Sequence, residues 1–204
     1  MQIRGWGAAT PNPNFLLARL FLVYYILEAK MPEEIDLRPV NHITTDAIGQ
    51  PGKRVFYLQG WQKERTITLI VEKIQVQSLA VGIEQFLAEL QNKFPDLMEA
   101  STDFTEERMR INPPVDPLFR VGEIGLGYDA DTDMIVVVAR ELVNEGDNPS
   151  DTNVVRFWCT RSQVRALARW GAEIVARGRP TCPQCGEPID PAGHFCPKKN
   201  GHKH

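Results

Sequence analysis

Apolar and polar residues trade places along this chain with two different periods, and the changeover happens twice. Short runs rich in β-branched and aromatic residues, VFYL and TITLIV among them, read as strands at about 42–48, 54–62 and 66–72. Gln50-Pro51-Gly52 and Gln62-Lys63-Glu64 supply the turns between them. The period then lengthens. Val76, Leu79, Ile83, Phe86, Leu87 and Leu90 recur at three- and four-residue steps, which predicts an amphipathic helix over 74–93 with one apolar stripe. Further on, MIVVV and VVRFW mark a second set of strands at about 119–128, 134–142 and 154–160. The aspartate turn Asp129-Ala-Asp131-Thr-Asp133 and an acidic loop at 144–153 separate them. Val164, Leu167, Ala168, Gly171, Ile174 and Val175 predict a second helix over 161–177.

The two helices begin alike. Lys73-Ile-Gln75-Val76-Gln-Ser-Leu79-Ala80 lies over Arg161-Ser-Gln163-Val164-Arg-Ala-Leu167-Ala168, a shared basic-x-Gln-Val-x-x-Leu-Ala at a period of 88 residues. Each half reads β-β-β-α, so a duplicated unit is expected over about 40–93 and 119–178, with a proline- and acid-rich surface linker at 94–118. One such unit leaves a sheet face and a helix stripe uncovered. Pairing two predicts an α+β domain over 31–178: one antiparallel sheet of about six strands with both helices on one face. Gly178-Arg179-Pro180 stops the second helix and opens a small tail, 179–204.

The N-terminal residues 1–30 stand apart. Phe15 to Leu27 is apolar but too short to span a bilayer, and Arg19 interrupts it. It reads as a mispredicted start with Met31 as the initiator, as a membrane-proximal or partner-binding helix, or as a signal sequence without a convincing cleavage site. No membrane association is expected unless this stretch is translated. Composition adds little: 204 residues, 43% apolar and 24% charged, describe an ordinary globular chain and exclude a fibrous or wholly disordered one. Charge adds more. Residues 154–204 hold nine Lys/Arg against three Asp/Glu, and the rest of the chain fourteen against twenty-three. A basic C-terminal end on a mildly acidic protein can mark an interaction surface.

The sharpest chemistry lies in the tail. Three of the four cysteines fall within fifteen residues, as Cys182-Pro-Gln-Cys185-Gly186 and Gly193-His194-Phe195-Cys196-Pro197. A Cys-x-x-Cys turn points two thiolates at one ion, and the following glycine lets the chain turn beneath them. The pair His194-x-Cys196 returns after a proline- and glycine-rich loop, as a zinc ribbon requires. Lys199 stands where a second knuckle would place its last cysteine. The fourth ligand is therefore His194, His202, or else His204 or water. Three thiolates and an imidazole suit a closed structural zinc site rather than one that activates water. Clustered thiolates also favour a reducing, cytoplasmic compartment.

Several strings together resemble a bacterial family, domain of unknown function 3090, described as a putative repeat protein. They are Gly49-Gln-Pro51-Gly52-Lys-Arg54-Val-Phe56-Tyr-Leu58-Gln59, Glu72-Lys73-x-Gln75, Phe119-Arg120-Val121-Gly122 and Gly178-Arg179-Pro180-x-Cys182-Pro183-x-Cys185-Gly186. The tail from Asp190-Pro191 to Asn200-Gly201 completes the pattern. The resemblance implies a start near Met31 and favours Cys182, Cys185, His194 and Cys196 as the metal set. It implies no activity.

Two further groups of residues are candidates for a ligand or partner surface. Arg161, Arg165 and Arg169 step along one helix face and could meet phosphates of a nucleic acid, or simply form a solvated face. Arg54, Gln59, Glu72, Lys73 and Arg120 interrupt apolar runs and could line an anion pocket, or lie on the solvent face of the sheet. Asp129-x-Asp131-x-Asp133 lacks the glycine and glutamate of a calcium loop and reads as a hairpin turn. No nucleophile–base arrangement can be assembled, and Cys159 reads as a core residue. The expected function is a non-enzymatic, zinc-containing binding or adaptor protein, with a protein partner ahead of a nucleic acid. The alternative is an enzyme or sensor acting on a phosphorylated small molecule through Arg54, Lys73, Glu72 and Arg120.

Overall fold

The computed structural model describes residues 32–146, 148, 151–190 and 193–199. The apolar run at 15–27 and the histidines His202 and His204 lie outside the described residues. In chain order the elements are β1 (Glu34–Leu37), β2 (His42–Ile48), β3 (Val55–Gln62), β4 (Arg65–Val71), α1 (Lys73–Lys93), β5 (Pro117–Asp129), β6 (Met134–Glu141), β7 (Val154–Cys159) and α2 (Arg161–Ala176). The class is α+β. All seven strands join one sheet in the order β1-β7-β6-β5-β4-β3-β2.

The sheet has one strand more than the alternation pattern implies, and it is mixed rather than antiparallel. β2-β3-β4 and β5-β6-β7 are antiparallel meanders, as short turns dictate. Between them β4 and β5 run parallel, because α1 and the linker intervene as a crossover. The added strand, β1, pairs parallel with β7.

β1 and β2 occupy opposite edges of the sheet, yet only Arg38–Asn41 separates them in sequence. The sheet must therefore curl until its edges approach. Asn41 donates its amide to Trp61 O of β3 and Val40 donates to Trp158 O of β7, stitching the edges at one end. Phe157 of β7 packs so closely on Gly60 of β3 that a Cβ there would lie 2.6 Å from the ring. The inward face carries the core, including Leu37, Phe56, Leu58, Leu69, Ile135, Val137, Val155, Phe157 and Cys159. Burial pushes the Cys159 thiol up, so it stays neutral, as a core residue should.

α1 and α2 pack side by side over this core. α1 buries Val76, Ala80, Ile83, Leu87 and Leu90; α2 buries Val164, Ala166, Leu167, Ala168, Trp170, Gly171 and Ile174. Gly171 is the closest approach: a Cβ there would sit 3.1 Å from Val76 of α1 and 3.3 Å from Thr45 of β2. Both helices start with the same capping box. Glu72 and Thr160 are the N-caps, and Gln75 and Gln163 accept the cap amides at 2.8 Å each. Each glutamine also donates Nε2 to two successive carbonyls, Val121 and Gly122 for Gln75, Val40 and Asn41 for Gln163. The shared Gln of the sequence pattern thus anchors α1 to β5 and α2 to the connection between β1 and β2.

The segment between the halves is more than a surface connection. Phe104 meets Trp170 edge-on at 6.0 Å, Met109 is buried, and Thr44 of β2 donates its hydroxyl to Met109 O. The segment shields the β2 edge, which would otherwise expose unpaired backbone.

Candidate metal centre

The tail folds as a short hairpin. Thr181 and Pro188 bridge antiparallel, Ile189 donates to Pro180 O, and Cys182 donates its amide to Glu187 O. Gly186 turns the chain at φ +81° and donates to Cys182 O, so the loop closes beneath two thiols aimed the same way. Cys182, Cys185, His194 and Cys196 bring their ligand atoms within 4.8 Å of one another. Cys182 Sγ and Cys196 Sγ are 3.8 Å apart, and Cys185 Sγ lies 3.1 Å from His194 Nε2. A tetrahedral ion with metal–sulfur bonds of about 2.3 Å sets its thiolates about 3.8 Å apart. The residues present therefore fit a metal ion.

Electrostatics agree. The amides of Cys185 and Gln184 point at Cys182 Sγ and hold that thiol down to about 6, closer to the thiolate a metal needs. Burial acts the other way on Cys185 and raises its thiol. Cys182 and Cys196 are buried, while Cys185 and His194 are half-exposed. Phe195, between two of the four residues, is 68% exposed.

The other candidates separate. Arg161 and Arg165 do not form an open basic stripe, for their side chains are only 14% and 17% exposed. Arg161 pairs with Asp133 at 2.9 Å and donates to Met98 O. Arg165 pairs with Glu99 at 3.0 Å and donates to Ala100 O at 2.7 Å. Both are fasteners for the linker, and Arg169 alone of the three is exposed. Gln59 is not on a surface at all. It is fully buried, donates to Thr68 Oγ1 and Asn112 O, and accepts the Asn112 amide at 2.8 Å. Glu72 and Arg120 pair with each other. Arg54 and Lys73 meet instead at the seam between body and tail, beside Arg179. Arg179, which the sequence places in the helix stop Gly178-Arg179-Pro180, joins them in the lining of one cavity.

A family model matches residues 35–196, from the first strand to the last of the four clustered residues. The chain belongs to the DUF3090 family, whose function is unknown. The matched span takes in the curled sheet, both helices and the whole Cys3His cluster, so body and tail are one family unit. No curated protein and no solved structure matches the chain. No helix among the described residues is long and apolar enough to cross a membrane.

Proposed function

We propose that this protein is a non-enzymatic binding protein in which a structural zinc ion, held by Cys182, Cys185, His194 and Cys196, folds the tail against a duplicated α+β body. The observation that carries this reading is the convergence of three thiols and one imidazole within 4.8 Å. A closed set of four protein ligands leaves no open position for water or substrate, which suits folding rather than catalysis. The matching capping boxes of Gln75 and Gln163 support the duplication. A reducing, cytoplasmic compartment suits three metal-bound thiolates.

Elemental analysis of the full chain, purified in reductant without chelator, tests the central claim. One zinc per chain is expected, with Cys196→Ser and His194→Ala each losing it. A metal-free wild-type protein would sink the reading.

The partner in this reading is a protein. Phe195 supports this, since a metal-fixed, solvent-exposed aromatic beside a buried ligand is the kind of anchor that protein interfaces use. Phe195→Ala should release the partner in a pull-down from native cells while keeping its zinc. Nucleic acid recedes because Arg161 and Arg165 are neutralised internally. Salt-sensitive retention on RNA, lost on Arg169→Ala, would reverse that order. A second reading, a sensor of a small anion, is favoured by one specific observation: Arg54, Lys73 and Arg179 line a single cavity.

A further inference from the structure

Where the knuckle meets the body a cavity of about 260 Å³ opens, lined among others by Gly52, Arg54, Lys73, Gly178, Arg179 and Thr181. We infer that this cavity is a binding site for a phosphoryl group, as inorganic phosphate or a small phosphate monoester. The inference deepens the anion-sensor reading above and rests on the tail being seated on the body.

Three cations reach the cavity from three separate places. Arg54 precedes β3, Lys73 is the first residue of α1, and Arg179 leads into the first cysteine of the knuckle. Arg54 Nη2 and Lys73 Nζ each lie 3.3 Å from the position a Cβ would take on Gly178, so the two charges are no more than twice that distance apart. Like charges so placed repel unless an anion sits between them or beside them.

The protein supplies too little negative charge of its own. Arg179 Nη1 bonds Asp190 Oδ1 at 2.6 Å, which accounts for one carboxylate. Arg54 Nη1 donates to Ile174 O at 2.9 Å, at the carbonyl end of α2. That contact uses one guanidinium nitrogen on a partial charge and leaves Nη2 free for another acceptor. Lys73 has no hydrogen-bond or ion-pair partner among the described residues. The neighbouring Glu72 is committed to Arg120 and to its capping box. Three positive charges therefore face one carboxylate.

Shape and size narrow the ligand. The nitrogens of Arg54 and Arg179 not used in these bonds, with the unpaired ammonium of Lys73, can donate from separate directions to the oxygens of a tetrahedral oxyanion. The bare backbone of Gly52 and Gly178 lets these groups approach: Arg179 lies 3.1 Å from the Cβ position of Gly52. The volume, about 260 Å³, falls below the roughly 300–1,000 Å³ of sites for drug-sized ligands. A phosphoryl group with a small substituent fits.

The test is titration calorimetry on the zinc-loaded full chain in a phosphate-free buffer. The probes are inorganic phosphate and glycerol 3-phosphate, with sodium acetate at equal ionic strength as the control. Saturable binding of one probe per chain is expected, absent with acetate and weakened tenfold or more in both Lys73→Gln and Arg54→Gln. Arg169→Gln should bind as the wild type does. The tighter probe identifies the source, free phosphate or monoester. Lys73 is exposed and unpaired, so Lys73→Gln decides the matter alone if Arg54→Gln does not fold. No saturable binding, or equal binding by wild type and Lys73→Gln, overturns the site. Zinc measured on the same samples keeps the two readings apart: full zinc without anion binding sinks only the site, and missing zinc sinks only the metal.

Discussion

Individual residues explain most of what is unusual in this fold. Gly60 sits mid-strand, where glycine ordinarily weakens a sheet, because Phe157 from across the curl occupies the space of its side chain. Gly60→Ala should therefore overpack the core and cost about 1–3 kcal/mol, a Tm drop readable by calorimetry. Trimming the ring with Phe157→Leu in the same chain should recover part of that loss, so the two changes will not add. Equal, additive losses would show that the two residues do not share the space. Gln59 is similarly instructive. A polar residue inside an apolar run looks like a solvent-facing or ligand-facing position. Here it is buried with its hydrogen bonds made, fastening the linker at Asn112 to the sheet. Nothing local in the sequence distinguishes those cases, since the partner lies 53 residues away.

At the scale of elements, six of the seven strands and both helices were legible in the alternation of apolar residues, because each carries its own periodicity and turn residues. β1 was not. Glu34–Leu37 is four residues long and owes its place to β7, about 120 residues on, so no local pattern announces it. The linker's role was hidden for a related reason: prolines and acids read as a solvated loop, and only the partners show otherwise. Glu106 is the clearest of these partners. Arg177 at the end of α2 bonds both its oxygens, Arg110 adds a second cation, and its carboxyl is held down to about 2. A depressed carboxyl stabilises the fold fully above the ordinary value of 4.5 and loses that contribution as pH falls through about 2. In Arg177→Gln, Glu106 should titrate closer to 4.5, and the variant should lose less stability than wild type across that acid window. Carboxyl NMR and acid unfolding read the two effects. An unmoved Glu106 titration would show that the ion pair does not form in solution.

For the molecule as a whole, the cluster that was plainest in sequence is also the most self-contained in space. Cys-x-x-Cys-Gly specifies its own turn, so the four clustered residues could be picked out from spacing and resemblance alone. What spacing could not show was the seating of the knuckle against Gly52, Arg54 and Phe56. Stripping the metal should loosen the tail while the far-UV signal of the body persists, because the buried core cluster contains no residue of the tail. If phosphate binds at the seam, the stripped protein should bind it more weakly, and phosphate should raise the metal affinity by the matching factor. Competition with a chromogenic chelator, with and without phosphate, measures this. Identical metal affinities with and without phosphate, and identical anion affinities with and without metal, would show that the knuckle does not contribute to the cavity.

The pairing of Glu34 with Val154 also sets an order of events during synthesis. β1 is among the first described segments to leave the ribosome, and its only neighbour in the sheet is among the last. When β2, β3, β4 and α1 have emerged, the stripe of α1 still lacks α2, and β1 has nothing to pair with. From the emergence of α1 until that of β7 and α2, the nascent chain carries an open strand edge and an uncovered helix stripe, the exposed surface that makes partly folded chains prone to aggregate. Closure of the curl is thus a late, long-range step made by a nearly complete chain, and slow folding is the natural consequence.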